Sequence, residues 1–351
     1  MPNLKLVEAV TAGHPDKICD QIADGLLDEF LRRDPQTRAS LEVLGSHGML
    51  SVGGTVLSNA DFDCSAVVRK LYEEIAGHND VEPFVNIGMS KPAKDTKFQE
   101  GGTTIVHGYA TKETREYLPR PYVIAQTLVR RMDDLRRTNP AFHFLKPHGK
   151  VQVVFDGKNV KTVILLFEPD GKVSDQEVKT KCLEQIVEPV LGSVEGVQVL
   201  VNPYASYGGG ELMRGSGSTG RKTANDTYGG LIPHGVSALS GKDPHSPDRA
   251  GAYMARFVAK SLVASGLCGN ALVSLGYTLG RAEPILVQAT SGTGEDFTEL
   301  VKAQFDFRPS EIVKRLDLAK PLYRRTACYG HFGRVDMPWE EVSDFSKIPV
   351  M

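Results

Sequence analysis

The sequence predicts an α+β fold of three similar helix–hairpin–helix–strand units around a pseudo-threefold axis. Two observations carry this expectation. The same order of apolar periodicities recurs three times along the 351 residues. Its interval is roughly a hundred residues, which marks an internal repeat. No Pro/Ser-rich linker separates the copies, so one large shared core is expected. A hairpin cannot bury its own apolar face, and each sheet needs its helices and neighbours.

The first unit opens on a helix over 15–33, with Ile18, Ile22, Leu26, Leu27 and Phe30 on one face and Pro15 in the first turn. Strands follow at 39–45 and 49–57. A helix over 61–77 is capped by Asp61 and turns Val67, Val68, Leu71 and Ile75 inward, and a strand at 83–88 closes the unit. The second unit has a helix over 121–137, a hairpin over 150–167 turning at Asp156-Gly157, a helix over 174–190 capped by Ser174, and a strand at 197–203. The third has a helix over 247–265, strands at 271–279 and 284–290, and a helix over 296–306, with no clear closing strand. The expected divisions are 1–115, 116–230 with a phosphate-binding Gly-rich loop, and 231–351 with the C-terminal segment, the chain interleaving between composite domains.

Composition narrows the function. Lys+Arg is 41 and Asp+Glu 43, a net charge of −2, which argues against a generally basic nucleic-acid binder. No stretch approaches the ~18 apolar residues of a membrane span. Residues 1–15 lack the basic start and apolar run of a signal peptide. The five cysteines are scattered without a CxxC pair, which fits free thiols in a reducing cytoplasm rather than disulfides or a zinc site.

Glycine-rich charged loops fall outside the repeat, at 11–17, 146–150, 204–230 and 239–249. They hold His14, Asp16, Lys17, Lys150, Arg214, Arg221, Lys222, Lys242, Asp243 and Asp248. Backbone N–H groups and cations suit phosphate oxygens, and carboxylates suit Mg²⁺. Solvated surface turns are the bland alternative. GSGSTGRKT (215–223) approximates a P-loop, but Arg221 stands where Lys should follow Gly220 and no apolar strand leads into it.

The stretches GHPDKICDQIAD (13–24), VGGTVLS (52–58), HGYATKET (107–114), LKPHGKVQV (145–153), STGRKTANDTYGG (218–230), SGKDPHSPDRAGAYMAR (240–256), RAEPILVQ (281–288) and YGHFGR (329–334) run nearly end to end. In that order they resemble the S-adenosylmethionine synthetase (methionine adenosyltransferase) family of the bacterial and eukaryotic type. The resemblance implies three α+β domains around a pseudo-threefold axis. It also implies attack of a sulfur on C5′ of ATP, with release of triphosphate that is then cleaved to pyrophosphate and phosphate. By motif match, His14 lies at the leaving triphosphate, and Lys150, Arg221, Lys222 and Lys242 hold phosphates. Lys17, Tyr207, Asp226 and Asp243 fall on the nucleotide side, Tyr207 where the family often stacks Phe on adenine. Asp16 and Asp248 match Mg²⁺ ligands, and Glu42 matches a K⁺ ligand. The family forms dimers that share active sites across a sheet interface, so a homodimer or dimer of dimers is expected.

The departures from the family cluster. Thr55 stands for Glu, Ser90 for Gln, Gly102 and Gly215 for Asp, and Ser246 for Lys, and the loop between Ser90 and Gly101 is shorter. In the family these positions mostly serve methionine. Burying methionine's ammonium without a carboxylate costs several kcal/mol, to order of magnitude. Lys91, Lys94, Lys97, Glu100, Glu211 and Arg214 are nearby sources of new contacts. The leading expectation is an ATP-dependent adenosyltransferase with an altered acceptor, such as a thioether lacking an α-ammonium. The alternatives are an ordinary synthetase with a rebuilt methionine pocket, and an ATP-binding regulatory subunit or triphosphatase.

Overall fold

In a computed structural model, residues 4–93, 102–169, 171, 173–203 and 212–345 are described. The first elements are β1 (Leu4–Val10), α1 (Pro15–Arg33), β2 (Arg38–Ser46), β3 (Met49–Leu57), α2 (Cys64–Ala76) and β4 (Glu82–Ser90). Next come β5 (Thr104–Thr111), α3 (Arg120–Thr138), β6 (Leu145–Asp156), β7 (Asn159–Pro169), α4 (Asp175–Cys182), α5 (Glu188–Leu191) and β8 (Gln198–Val201). The last are β9 (Ser216–Ser218), α6 (Thr223–Thr227), α7 (Pro247–Ala264), β10 (Asn270–Tyr277), β11 (Leu286–Ser291), α8 (Thr298–Gln304) and α9 (Pro309–Arg315).

The three sheets have the orders β1-β6-β7-β8, β11-β10-β5 and β4-β3-β2-β9. Each contains an expected hairpin plus a strand that sequence periodicity did not predict. Counted with the helix that follows each of them, these added strands pass cyclically between the three hairpins. β1, ahead of α1, pairs antiparallel with β6 (Val7↔Val153). β5, ahead of α3, pairs with β10 (Gly108↔Val273). β9, ahead of α7, pairs with β2 (Ser218↔Leu44). The closing strands β4 and β8 join their hairpins in parallel.

Two helix details correct the sequence expectation, and a third point agrees with it. α2 starts at Cys64, and its cap is Asp63, whose side chain accepts the Ala66 N–H at 3.0 Å, rather than Asp61. The chain is still turning before it, where Phe62 packs on Phe30 with ring centroids 4.6 Å apart. The helix after Ser174 is broken by a π turn at Leu183–Val187, where Glu188 N–H reaches back to Leu183 C=O. Pro189 follows and has no N–H with which to continue the ladder. The segment 215–223 is no P-loop: the three-residue β9 and five-residue α6 replace its long strand and helix.

α1 is the central element: all its residues except Glu29, Arg32 and Arg33 are buried. Its apolar face packs as expected. Its other face carries Asp16, Asp20, Asp24 and Asp28, one per turn, all buried. Each carboxylate accepts backbone N–H groups from a distant segment. Asp16 takes Ser218 at 3.0 Å, and Asp20 takes Gly220 at 2.8 Å. Asp24 takes Gly241 at 2.9 Å, while Asp28 takes Tyr323 at 3.0 Å and Arg324 at 2.9 Å. Asp24 also pairs with the buried Arg249, whose guanidinium lies 4.3 Å from the Tyr323 ring centroid.

Removing one partner of a buried ion pair strands the other. Asp24→Ala is therefore expected to lower unfolding free energy by about 3–5 kcal/mol. Urea denaturation with an unchanged slope checks this; a loss under 1 kcal/mol would mean that water reaches Arg249.

Candidate active site

The first turn of α1 carries the densest charge. His14 is its N-cap, and its Nδ1 accepts the Asp16 N–H at 3.2 Å. That bond places the ring proton on Nε2, the remaining donor. Burial, then the charges of Lys222 and Lys150, lower the His14 pKa to about 3 against the pull of Asp16. The ring is therefore neutral at pH 7. Asp16 receives Lys222 Nζ at 2.7 Å, with an Arg221 guanidinium nitrogen 3.5 Å away. Burial disfavours its charge, yet the Lys222 bond and charge and the Ser218 N–H hold its carboxyl below the usual range. Gly217 permits this approach: a Cβ there would lie 2.2 Å from the Pro15 carbonyl carbon.

Behind this turn, Lys17 points inward, 1 % exposed. Its Nζ donates to Asp20 at 2.7 Å and to Asp226. Burial opposes its charge, but the two carboxylates keep its pKa above the ordinary lysine value. Lys17 and Asp226 thus tie the Arg221–Lys222 segment to α1 instead of opening to a ligand. Lys150, on the solvent-facing side of β6, donates to Glu8 at 2.9 Å. Glu8 also receives Gln152 at 3.3 Å and Asn225 at 3.2 Å.

A second group lies on the open face of the β4-β3-β2-β9 sheet. Glu42 and Thr55 are exposed there, and Ser40 lies opposite Thr55 in the register. Lys242 Nζ donates to Ser40 Oγ at 3.0 Å. Ser90 ends the exposed edge strand β4. The neighbouring Asp243 is buried and accepts Ala39 N–H and His245 N–H, each at 2.8 Å, so it braces the loop. Gly215 lies just before β9, its carbonyl 3.4 Å from the His47 N–H nitrogen.

A third group forms at the start of α7. Asp248 accepts the Thr104 hydroxyl at 2.8 Å and the Ser246 hydroxyl at 3.3 Å. Gly102 faces Pro247, and a Cβ on it would sit 3.0 Å from Pro247 Cγ. No hydrogen bond or ion pair among the described residues joins Asp248 to Asp16. Arg214 pairs with Glu168 at 3.2 Å. Tyr207, Lys94, Lys97, Glu100 and Glu211 lie outside the described residues.

No cluster of three or more His, Cys, Asp or Glu side chains suited to a metal occurs among the described residues. Mg²⁺ needs none, since it is held by one or two carboxylates together with substrate phosphates and water. Asp16 among cations and amides fits that mode. Sequence reasoning did not single out Glu8, Asp20, Ser40, Thr104 or Asn225. Only Asp20 carried a signal, its i,i+4 spacing from Asp16.

A cation-rich, amide-lined helix start on three strand-exchanging sheets is an α+β arrangement of the kind that suits a polyphosphate. Sequence comparison is consistent with this. The N-terminal, central and C-terminal domains of S-adenosylmethionine synthetase match residues 3–89, 98–207 and 209–341. Proteins named S-adenosylmethionine synthase from Petrotoga mobilis and Aquifex aeolicus are 37 % and 36 % identical. Those alignments cover 97 % of this chain and 96 % of the first relative, and 99 % of both for the second. The chain belongs to the S-adenosylmethionine synthetase family.

The burial of neutral His14 sets a pH dependence. Between pH 6.5 and about 3 the unfolded chain protonates at His14 and the folded chain does not. Stability should therefore fall as pH drops through that window. His14→Asn keeps a capping side chain but removes the titration. Its Tm is expected to decline less steeply than that of wild type from pH 6.5 to 4, and parallel curves would refute the burial argument.

Proposed function

We propose that the protein transfers the 5′-adenosyl group of ATP to a sulfur nucleophile. The sulfur lone pair attacks C5′, the C5′–O bond breaks, and its electron pair leaves on the triphosphate, which is then cleaved to pyrophosphate and phosphate. A thioether has no proton to lose, so no general base is needed. The observation that carries this is the packing of His14, Asp16, Arg221 and Lys222 against the Ser218 amide. His14 Nε2–H donates to the departing oxygen, while Arg221, Lys222, Lys150 and Lys242 receive its charge. Mg²⁺, when bound, neutralises triphosphate oxygens. Asp16 would hold it, with Asp248 as the second carboxylate, and Glu42 would offer an oxygen to K⁺.

Leu44, Met49 and Phe84 are exposed on the strands that carry Glu42, Thr55 and Ser90. A second copy on that surface would bury them and could bring Asp248 to Asp16, which supports a homodimer or dimer of dimers with shared sites. No helix among the described residues is long and apolar enough to cross a membrane, and the five cysteines are free, which supports a cytoplasmic setting.

For the acceptor, neutral Thr55, Ser90, Gly102, Gly215 and Ser246 support a thioether without methionine's α-ammonium. Gly102 lies against Pro247, next to Ser246, so two of the departures from the family are adjacent in space. Methionine is the second reading, favoured by the names and near-full-length similarity of the relatives.

Product mass spectrometry with ATP, Mg²⁺, K⁺ and a panel of thioethers and thiols separates these readings. An adenosyl sulfonium from another thioether, with none from methionine, is expected. S-adenosylmethionine at a normal rate would overturn the altered acceptor, and ATP turnover without an adenosyl product would overturn transfer altogether. Lys150→Ala is expected to cut transfer about 10³-fold while Tm holds within a few degrees, and unchanged turnover would remove Lys150 from the phosphate set.

A further inference from the structure

A separate cavity of about 550 Å³ opens where the β6–β7 turn, the start of β1, the end of β5 and the start of α3 meet. Its lining shares no residue with the His14–Asp16–Lys222 cluster. Lys5 is the second residue of β1 and Thr11 follows its end, and that length of strand spans about 20 Å. The volume falls within the roughly 300–1,000 Å³ of small-molecule sites.

Its chemistry is asymmetric. Lys5, Arg120 and Lys158 contribute three cations against one carboxylate, Glu113. Glu113 is occupied, accepting the Arg120 N–H at 3.0 Å. The Arg120 guanidinium is tethered to the Lys158 carbonyl at 3.0 Å, which holds it at the rim. Lys5 and Lys158 have no ion-pair partner among the described residues. Lys5 lies beside Phe155 in the register. The lining also has apolar surface, including Tyr109, set edge-on to Tyr228 with centroids 6.1 Å apart, Phe155 and Ile232. The Tyr109 backbone N–H donates to the Tyr228 hydroxyl at 2.8 Å, which ties the two residues together.

Two ammonium groups without ion-pair partners among the described residues, in one cavity with aromatic and apolar surface, suit a ligand with an acidic group at one end and a flat apolar body. We propose that this cavity is a second ligand site, for a small organic anion of that kind, distinct from the nucleotide site. Leu231 and Ile232 of its lining follow Asp226 within one turn-rich segment, so the site is linked through the chain to the stretch that holds Arg221 and Lys222.

The test uses 8-anilinonaphthalene-1-sulfonate, an aromatic sulfonate, titrated by fluorescence into the full chain with the nucleotide site filled by a non-hydrolysable ATP analogue and Mg²⁺. One saturable class of dye site is expected. Lys5→Glu/Lys158→Glu should raise its Kd at least tenfold with Tm unchanged. Lys70→Glu/Lys179→Glu, an equal charge change elsewhere on the surface, should leave Kd as in wild type. No saturable binding, displacement by the nucleotide analogue, an unaltered Kd in the pocket variant, or equal weakening in the control would each overturn the proposal.

Discussion

The fold depends on one constraint: four carboxylates buried along a single helix must all be satisfied. An unpaired buried carboxylate is too costly to keep. α1 therefore organises whatever can donate to it. Asp16 and Asp20 capture the amides of Ser218 and Gly220, Asp24 captures Gly241 and Arg249, and Asp28 captures Tyr323 and Arg324. These donors come from the glycine-rich loop, the start of α7 and the segment near the C-terminus. A polar stripe thus draws together segments that apolar burial alone, being non-directional, would not orient.

The cyclic exchange of strands acts with this stripe. β9 has only three residues, and it stays beside β2 because Gly217 lets it lie against the first turn of α1. That contact delivers the Ser218 amide to Asp16 and carries Arg221 and Lys222 to the same place. The candidate site forms where a lent strand meets the helix of another unit. Its precision rests on regular elements and their hydrogen bonds, although the sequence around it is rich in loop-forming residues.

The hairpins and long helices were legible because their apolar periods are strong, and α1 matches its expected span. The lent strands were not. β1 and β5 have mixed faces that favour a strand only once a distant partner is known, and β9 is too short to show a period. The motif residues were legible from resemblance, but their partners were not. Asp20, Asp24 and Asp28 look like the solvent side of an amphipathic helix, and only the tertiary arrangement turns them inward. Likewise Lys17 belongs to a conspicuous motif, yet its ammonium is spent on Asp20 and Asp226.

The two halves of the site differ in how they are held without substrate. Lys222 rests on Asp16, Lys150 on Glu8, and Lys242 on Ser40. These cations are fixed before any phosphate arrives, so binding a polyanion exchanges partners without first ordering flexible side chains. Such preorganisation lets fixed charges stabilise a leaving group at little reorganisation cost. The side chains at the proposed acceptor positions are themselves neutral: Thr55 and Ser90 are exposed, and Ser246 is bonded to the Asp248 carboxylate. On the proposed reading, these positions contribute no counterion of their own to a charged acceptor, which is the repulsive side of specificity.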